Sequence, residues 1–287
     1  MKRKILLCIS IFNIQYSIFN IRAQDIHFSQ FYNIPLVVNP AMTGAFNGDQ
    51  RVAINYKDQW KLKDSFTNST NASYKTFAFS FDMGFLKKKW DKGHLGAGLL
   101  VYKDIAGNTK LATTQIALSV ASFVNLGENN KISAGLQGGL QQKSMTVAGQ
   151  SWDSQYDPSK PNGWNEGASA NENTSGYSNV NFGDFTGGLQ WTYSTSDATL
   201  SSNDRKSVNA GVAFYHINKP SQQFYDPQNT SVTELDKLHS RIAAHAGAFI
   251  GIKNFHLGLI PSVLYLKQGS AQEINFGTMI RYTIKEE

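Results

Sequence analysis

Cysteine is almost missing from this 287-residue chain: the only one is Cys8. Without further cysteines, neither disulfides nor thiolate metal sites can hold the body of the protein. Charge is scarce as well. Asp, Glu, Lys and Arg together make up 17% of the residues, below the usual quarter. No long apolar run follows the N-terminus, which argues against a helical membrane protein, because a spanning helix needs about eighteen or more such residues in a row. A transmembrane β-barrel is not excluded, since only its alternate residues meet lipid. Catalytic patterns are missing too. There is no Gly-rich phosphate loop, no Gly-x-Ser-x-Gly elbow, and no HExxH spacing among the six histidines. His245 and His256 fall on neighbouring predicted strands, where a metal or base role is geometrically allowed. The simpler reading is a lumen-facing or strand-end histidine. Asp153, Asp157 and Glu166 lack the dense register of a calcium loop and read as solvated loop residues. No catalytic, cofactor-binding or metal residue is assigned, and the chain is not expected to be an enzyme.

What is present is glycine (24 residues), aromatics (12%) and a period of two. The alternation is clearest from Ala271 onward. Ile274, Phe276, Thr278, Ile280, Tyr282 and Ile284 share one face, and Asn275, Gly277, Met279, Arg281 and Thr283 share the other. A period of two marks a β-strand whose faces meet different surroundings. The same design recurs upstream and predicts strands over 50–60, 71–85, 92–103, 111–126, 131–143, 181–195, 206–218, 238–252 and 255–267. Most exceed the ~5–6 residues of ordinary strands and reach the ~9–11 that cross a bilayer at a tilt. The expected fold is an all-β, antiparallel transmembrane outer-membrane β-barrel with about ten readable strands. Trp60, Trp90 and Trp191, near predicted strand ends, suit aromatic girdles. Residues 87–90, Lys-Lys-Lys-Trp, read as a solvated anchor at the membrane edge.

Three segments complete the plan. Residues 1–24 read as a secretory signal, with Lys2, Arg3 and Lys4 ahead of an apolar core and Ala23-Gln24 near the cut. Removal of that segment would leave 23 basic against 21 acidic residues, so the basic pI is no argument for nucleic-acid binding. Residues 25–49 hold Pro35 and Pro40, which forbid a regular central strand, yet carry many apolar side chains. They are expected to form an irregular segment packed on or in a barrel spanning 50–287. Residues 144–180 form a long loop rich in Ser, Asn and Gly with two tryptophans, the kind of segment that often binds partners. The expected contact residues are Phe28, Gln30, Tyr32, Asn39 and Pro40 in the N-terminal segment and Trp152, Tyr156 and Trp164 in the loop.

Several stretches carry a resemblance. Residues 27–32 (His-Phe-Ser-Gln-Phe-Tyr), 39–44 (Asn-Pro-Ala-Met-Thr-Gly) and 55–60 (Asn-Tyr-Lys-Asp-Gln-Trp) resemble the opening of the PorP/SprF family. Residues 110–115, 135–143 and 261–265 fit the same family, so the similarity runs from about residue 25 to the end. The resemblance implies an outer-membrane component of the type IX secretion system of Bacteroidota. Its partners would be the secretion machinery, outer-membrane lipid and secreted proteins with C-terminal sorting domains, gliding adhesins among them; nucleic acid would not be a partner. It also implies a barrel of about fourteen strands. The chain reaches its last residues just after the tenth readable strand, so C-terminal strands are expected to be missing. The rival readings are a passive channel for small solutes and a soluble secreted β-sandwich binding module.

Overall fold

A computed structural model of the chain describes residues 25–59, 62–63, 70–71, 73–87, 92–107, 110–146, 153–161, 163–165, 167–169, 179–195, 206–222, 237–252 and 257–282. The predicted strands are there. In chain order they are β1 (Gln50–Gln59), the two-residue arms β2 (Leu62–Lys63) and β3 (Thr70–Asn71), β4 (Tyr74–Phe85), β5 (Gly93–Ala106), β6 (Leu111–Asn125), β7 (Asn130–Ser144), β8 (Val180–Ser194), β9 (Lys206–Tyr215), β10 (Arg241–Gly251), β11 (Leu257–Gln268) and β12 (Ala271–Tyr282). All but β2 and β3 join one antiparallel meander in the order β1-β4-β5-β6-β7-β8-β9-β10-β11-β12. β4 starts later than the sequence pattern suggests because Thr70–Asn71 pairs with Leu62–Lys63 instead. β5 runs further because Asp104, Ile105 and Ala106 find partners in Thr113, Ala112 and Leu111.

The sheet curls so that its two faces differ. The row Val120–Leu136–Gly187–Phe214–Ile242, read across five strands, lies on the convex side. Its neighbours there include Leu140 at 73%, Ile280 at 70% and Phe276 at 81% exposure. The concave side carries Gln115, Ser119, Ser133, Gln137, Gln141, Asp184, Thr186 and Gln190, all buried. Apolar outside and polar inside is the reverse of a soluble protein. It fits strands whose outer face meets hydrocarbon. A soluble sandwich would have to leave this whole apolar face in water, far beyond the patches tolerated on a soluble monomer.

The curl is a half-barrel. β1 and β12 are its edges, and no backbone ladder joins them among the described residues. The antiparallel barrel wall of about ten strands expected from the alternation is therefore present as an open, curled ten-strand sheet.

The concave side holds residues 25–44. Phe31–Asn33 and Pro40–Met42 are short 3-10 turns, and Pro35–Val38 is one helical turn begun by its proline. Two apolar clusters bind this segment to the sheet. Phe28, Ile34, Leu36 and Val37 pack with Ala78, Leu100 and Tyr102; Phe31 and Val38 pack with Ala213, Tyr215, Ala243 and Leu264.

Candidate functional site

The seat of this segment is a belt of small residues. At one level of the concave face, seven successive strands contribute Gly84, Gly96, Ala121, Gly135, Gly188, Ala213 and Ala243, aligned strand to strand. The belt lets backbone approach backbone. A Cβ at Gly96 would lie 2.0 Å from the Thr43 carbonyl oxygen, one at Gly135 2.4 Å from the Ala41 nitrogen, and one at Gly188 2.0 Å from Asn39 Oδ1. The six residues Asn39–Gly44 thus lie where side chains are absent.

Polar contacts fix the register of that stretch. Asn39, fully buried, accepts from the Ala41 N–H (2.9 Å) and donates to the Leu189 carbonyl (3.0 Å). Its Nδ2 also faces His245 Nε2 at 3.1 Å. Ser133 Oγ donates to the Ala41 carbonyl (2.8 Å), and Thr43 Oγ1 donates to Ser119 Oγ (2.9 Å). The Gly44 N–H donates to Asp82 (2.7 Å). The buried Asp82 carboxylate also receives Arg51 through Nε (2.9 Å) and a second guanidinium nitrogen (2.7 Å), and that second nitrogen reaches the Met42 carbonyl (3.1 Å). Two-point pairing of this kind is both strong and directional. Lys87 caps the end of the stretch. Its Nζ bonds the Phe46 and Gly48 carbonyls and lies over the Phe46 ring. Burial, first, holds this ammonium below the ordinary lysine value. Lys87 therefore also serves the segment; residues 88–90 of the predicted membrane-edge anchor lie outside the described residues.

The leading end is held by charge. His216, just past the end of β9, sits between two carboxylates. Nδ1 donates to Asp184 Oδ1 (2.8 Å), and Nε2 donates to Asp25 Oδ2. Arg241 Nε lies 3.8 Å from the same Asp25 oxygen, and Gln268 Nε2 donates to it (3.0 Å). His216 adopts φ +54°, uncommon for any residue but glycine, and the two carboxylates hold it there. Burial alone would lower the His216 pKa. The charges and hydrogen bonds of Asp25 and Asp184 outweigh it and lift the value to about 9. Burial pulls the Asp25 carboxyl upward, but His216, Arg241 and Lys143 more than offset this and hold it well below the carboxylate range. With both ring nitrogens engaged by carboxylates, the imidazolium has no nitrogen left to accept a proton from a nucleophile. This is a clasp, and the geometry of a catalytic triad is absent.

The clasp sets a pH window. The His216 contribution is fully present below its unfolded value of 6.5 and is lost as pH rises through about 9. The Asp25 contribution is present above the unfolded value of 3.8 and is lost as pH falls. A nitroxide at the exposed position 29 should be immobile at pH 6 and become mobile above pH 9, and His216→Gln should abolish that transition. Unchanged mobility across pH 9 in the parent chain would contradict the clasp.

The expected contact residues divide. Phe28, Asn39 and Pro40 are buried against the chain's own sheet, so their surfaces are already occupied and a partner cannot reach them there. Gln30 is exposed and Tyr32 half-buried. In the long loop, Tyr156 is 59% exposed and meets Trp164 edge-on at 5.6 Å across an isolated β-bridge. Trp152 lies outside the described residues, as do Trp60, Trp90, Glu166 and His256. Trp191 lies near the end of β8, and its Nε1 donates to Asn130. No group of three or more His, Cys, Asp or Glu suited to a metal occurs among the described residues. The belt and the clasp escaped sequence reasoning. Their members lie on separate strands and meet only once the strand register is known.

An antiparallel curled sheet with an apolar outer face, a polar inner face and an internal segment across it defines a membrane protein of the β-barrel class. The chain belongs to the PorP/SprF family: the family model described as "Type IX secretion system membrane protein PorP/SprF" matches residues 20–285. No curated protein matches. Among solved structures it is similar to the translocator domain of the autotransporter NalP from Neisseria meningitidis, at 12% identity over 83% of this chain and 89% of that one, with a TM-score of 0.34. Family membership makes the chain a type IX secretion component.

Proposed function

We propose that this chain is a non-enzymatic scaffold of the outer membrane, exported by the signal in residues 1–24, that holds or passes secreted proteins at the cell surface. Its partners are subunits of the type IX machinery and cargo with C-terminal sorting domains, gliding adhesins among them. The observation that carries this reading is the occupied concave face. Residues 25–44 fill it, sealed by the glycine belt and the clasp. An interior filled in this way disfavours a passive solute channel and leaves the outer loops and the exposed turn at Gln30 as contact surfaces. In the loop, Tyr156 and Trp164 are the contact residues, presented on a stretch stiffened by bonds from Asp157 N to Gly163 O and from Asn165 N to Gln155 O. Deletion of the gene should abolish surface display of one or a few large secreted proteins and leave general secretion working. Normal display of every type IX cargo in the deletion strain would remove this role.

A further inference from the structure

A groove of about 960 Å³ crosses the convex face. It runs from Ser122 of β6 past Leu136, Gly187 and Phe214 to Ile217 and Ser240, beside the loop ends of β9 and β10. That path crosses four strand spacings, or ~19 Å. The length is comparable with the ~15 Å that one leaflet contributes to the hydrocarbon core. Leu136, Phe214 and Ile217 rise along the groove with 66%, 48% and 56% exposure. Gly187 is its floor. A Cβ there would meet Ile217 Cδ1 and Leu136 Cδ2, both at 3.6 Å, so these two walls stand no further apart than twice that distance. The gap suits a single methylene chain and is far too narrow for a helix of ~10–12 Å diameter.

We propose that this groove is a lipid-binding site that holds one acyl chain of an anionic, phosphate-bearing membrane lipid, with the phosphate at Lys219 and Lys267. Three observations select that occupant. The first is the lining. The groove lies on a face that meets hydrocarbon, and it offers water no partners. The backbone groups of its floor are engaged in the strand ladders, and Ser240 Oγ donates to the His216 carbonyl. Apolar walls with nothing between them forfeit dispersion contacts that a chain of methylenes restores. The second is shape. A helix is too wide, and an added strand finds no free backbone edge here, because β7, β8 and β9 each have a neighbour on both sides. The third is charge. Lys219 follows Ile217 by two residues, and Lys267 stands on β11 in register with Ile242, itself in register with Phe214. Both lysines are exposed, and neither has a carboxylate partner among the described residues. Two cations at the loop end of an apolar groove suit a lipid phosphate. This inference rests on the membrane reading of the sheet and not on the cargo assignment.

The test uses the full chain in vesicles of phosphatidylcholine and phosphatidylglycerol in equal parts, released in mild detergent for native mass spectrometry. The parent should retain one phosphatidylglycerol per chain. Gly187→Leu fills the groove and should lower that retention by about tenfold or more. Lys219→Gln with Lys267→Gln should keep a lipid bound but lower the preference for phosphatidylglycerol over phosphatidylcholine by about tenfold. Ile280→Phe, on the same face but outside the groove, should change neither. Heat-modifiable gel mobility reports the folding of each variant. Should Gly187→Leu fail to fold, Ser122→Phe closes the other end of the groove and should give the same loss. Equal retention by the parent and a folded groove variant overturns the site, and so does a ladder of several lipids shed alike from both. An unchanged lipid preference in the lysine double variant overturns the phosphate anchor. A nitroxide at Leu140 that collides freely with oxygen, in a parent that retains no lipid, strikes the groove alone and leaves the membrane reading standing.

Discussion

Gly188→Val should prevent the N-terminal segment from seating, while Gly187→Ala, one residue away, should be tolerated. The two glycines point to opposite faces of β8. On the concave side a Cβ at Gly188 would stand 2.0 Å from Asn39 Oδ1 and 3.2 Å from the Pro40 ring. Asn39 cannot withdraw cheaply, because its side chain also binds the Leu189 carbonyl and the Ala41 N–H. The branched side chain therefore displaces residues 39–44 and orphans several buried polar groups. The cost should be at the top of the ~1–3 kcal/mol overpacking range or beyond it. On the convex side a Cβ at Gly187 would meet only Ile217 and Leu136, both at 3.6 Å, which is ordinary contact. Folded yield by heat-modifiable gel mobility and proteolysis of residues 25–44 report the two effects. Equal behaviour of Gly188→Val and Gly187→Ala would mean that the segment is not seated on the belt.

Arg51→Met should cost about 3–5 kcal/mol, because it leaves a buried carboxylate without its countercharge. Asp82 is fully buried, and Arg51 is only partly exposed. After the substitution the Gly44 N–H remains as a donor to Asp82. The loss of the Arg51 bond to Met42 O adds to the effect at the same stretch. Asp82→Leu in the same background should recover much of the loss, since replacing both partners by apolar groups removes the uncompensated charge. Denaturant midpoints of the two single variants and the double variant give the coupling. Additive losses in the cycle would contradict a pair that acts as one unit.

Much of the fold was legible because period-two alternation writes itself along each strand. β12 was read from Ala271 to its end, and β1, β6, β7 and β11 were placed within two residues of their bounds. Which face is apolar followed from the same pattern. An incomplete ring was expected from the strand count set against the family resemblance, since pairing of the first and last strands leaves no local mark. The Asn-Pro-Ala-Met-Thr-Gly stretch stood out as a motif, but its meaning was lost. Pro40, with Pro35 just ahead of the stretch, excludes a strand without saying what else forms, and its binding site is a belt assembled from seven strands. Asp25, Asp184 and His216 are separated by 32 to 191 residues. No spacing rule links them, and only the curl of the sheet brings β8, the end of β9 and the leading segment together. The Lys87 contacts are hidden for a related reason: the carbonyls that Lys87 binds belong to a segment some forty residues earlier.

The central claim is that the convex face of the sheet meets lipid and the concave face meets the chain's own segment. Collision rates of nitroxides placed singly along β6 and β7, at residues 116–120 and 136–141, test it most directly in proteoliposomes. The outward positions 116, 118, 120, 136 and 140 should collide frequently with oxygen, which concentrates in hydrocarbon, and rarely with a water-soluble nickel chelate. The inward positions 117, 119, 137 and 141 should be shielded from both. A period-two pattern with oxygen maxima at the outward positions is the predicted result. Nickel maxima at 118, 136 and 140 would place the apolar face in water and contradict the membrane reading.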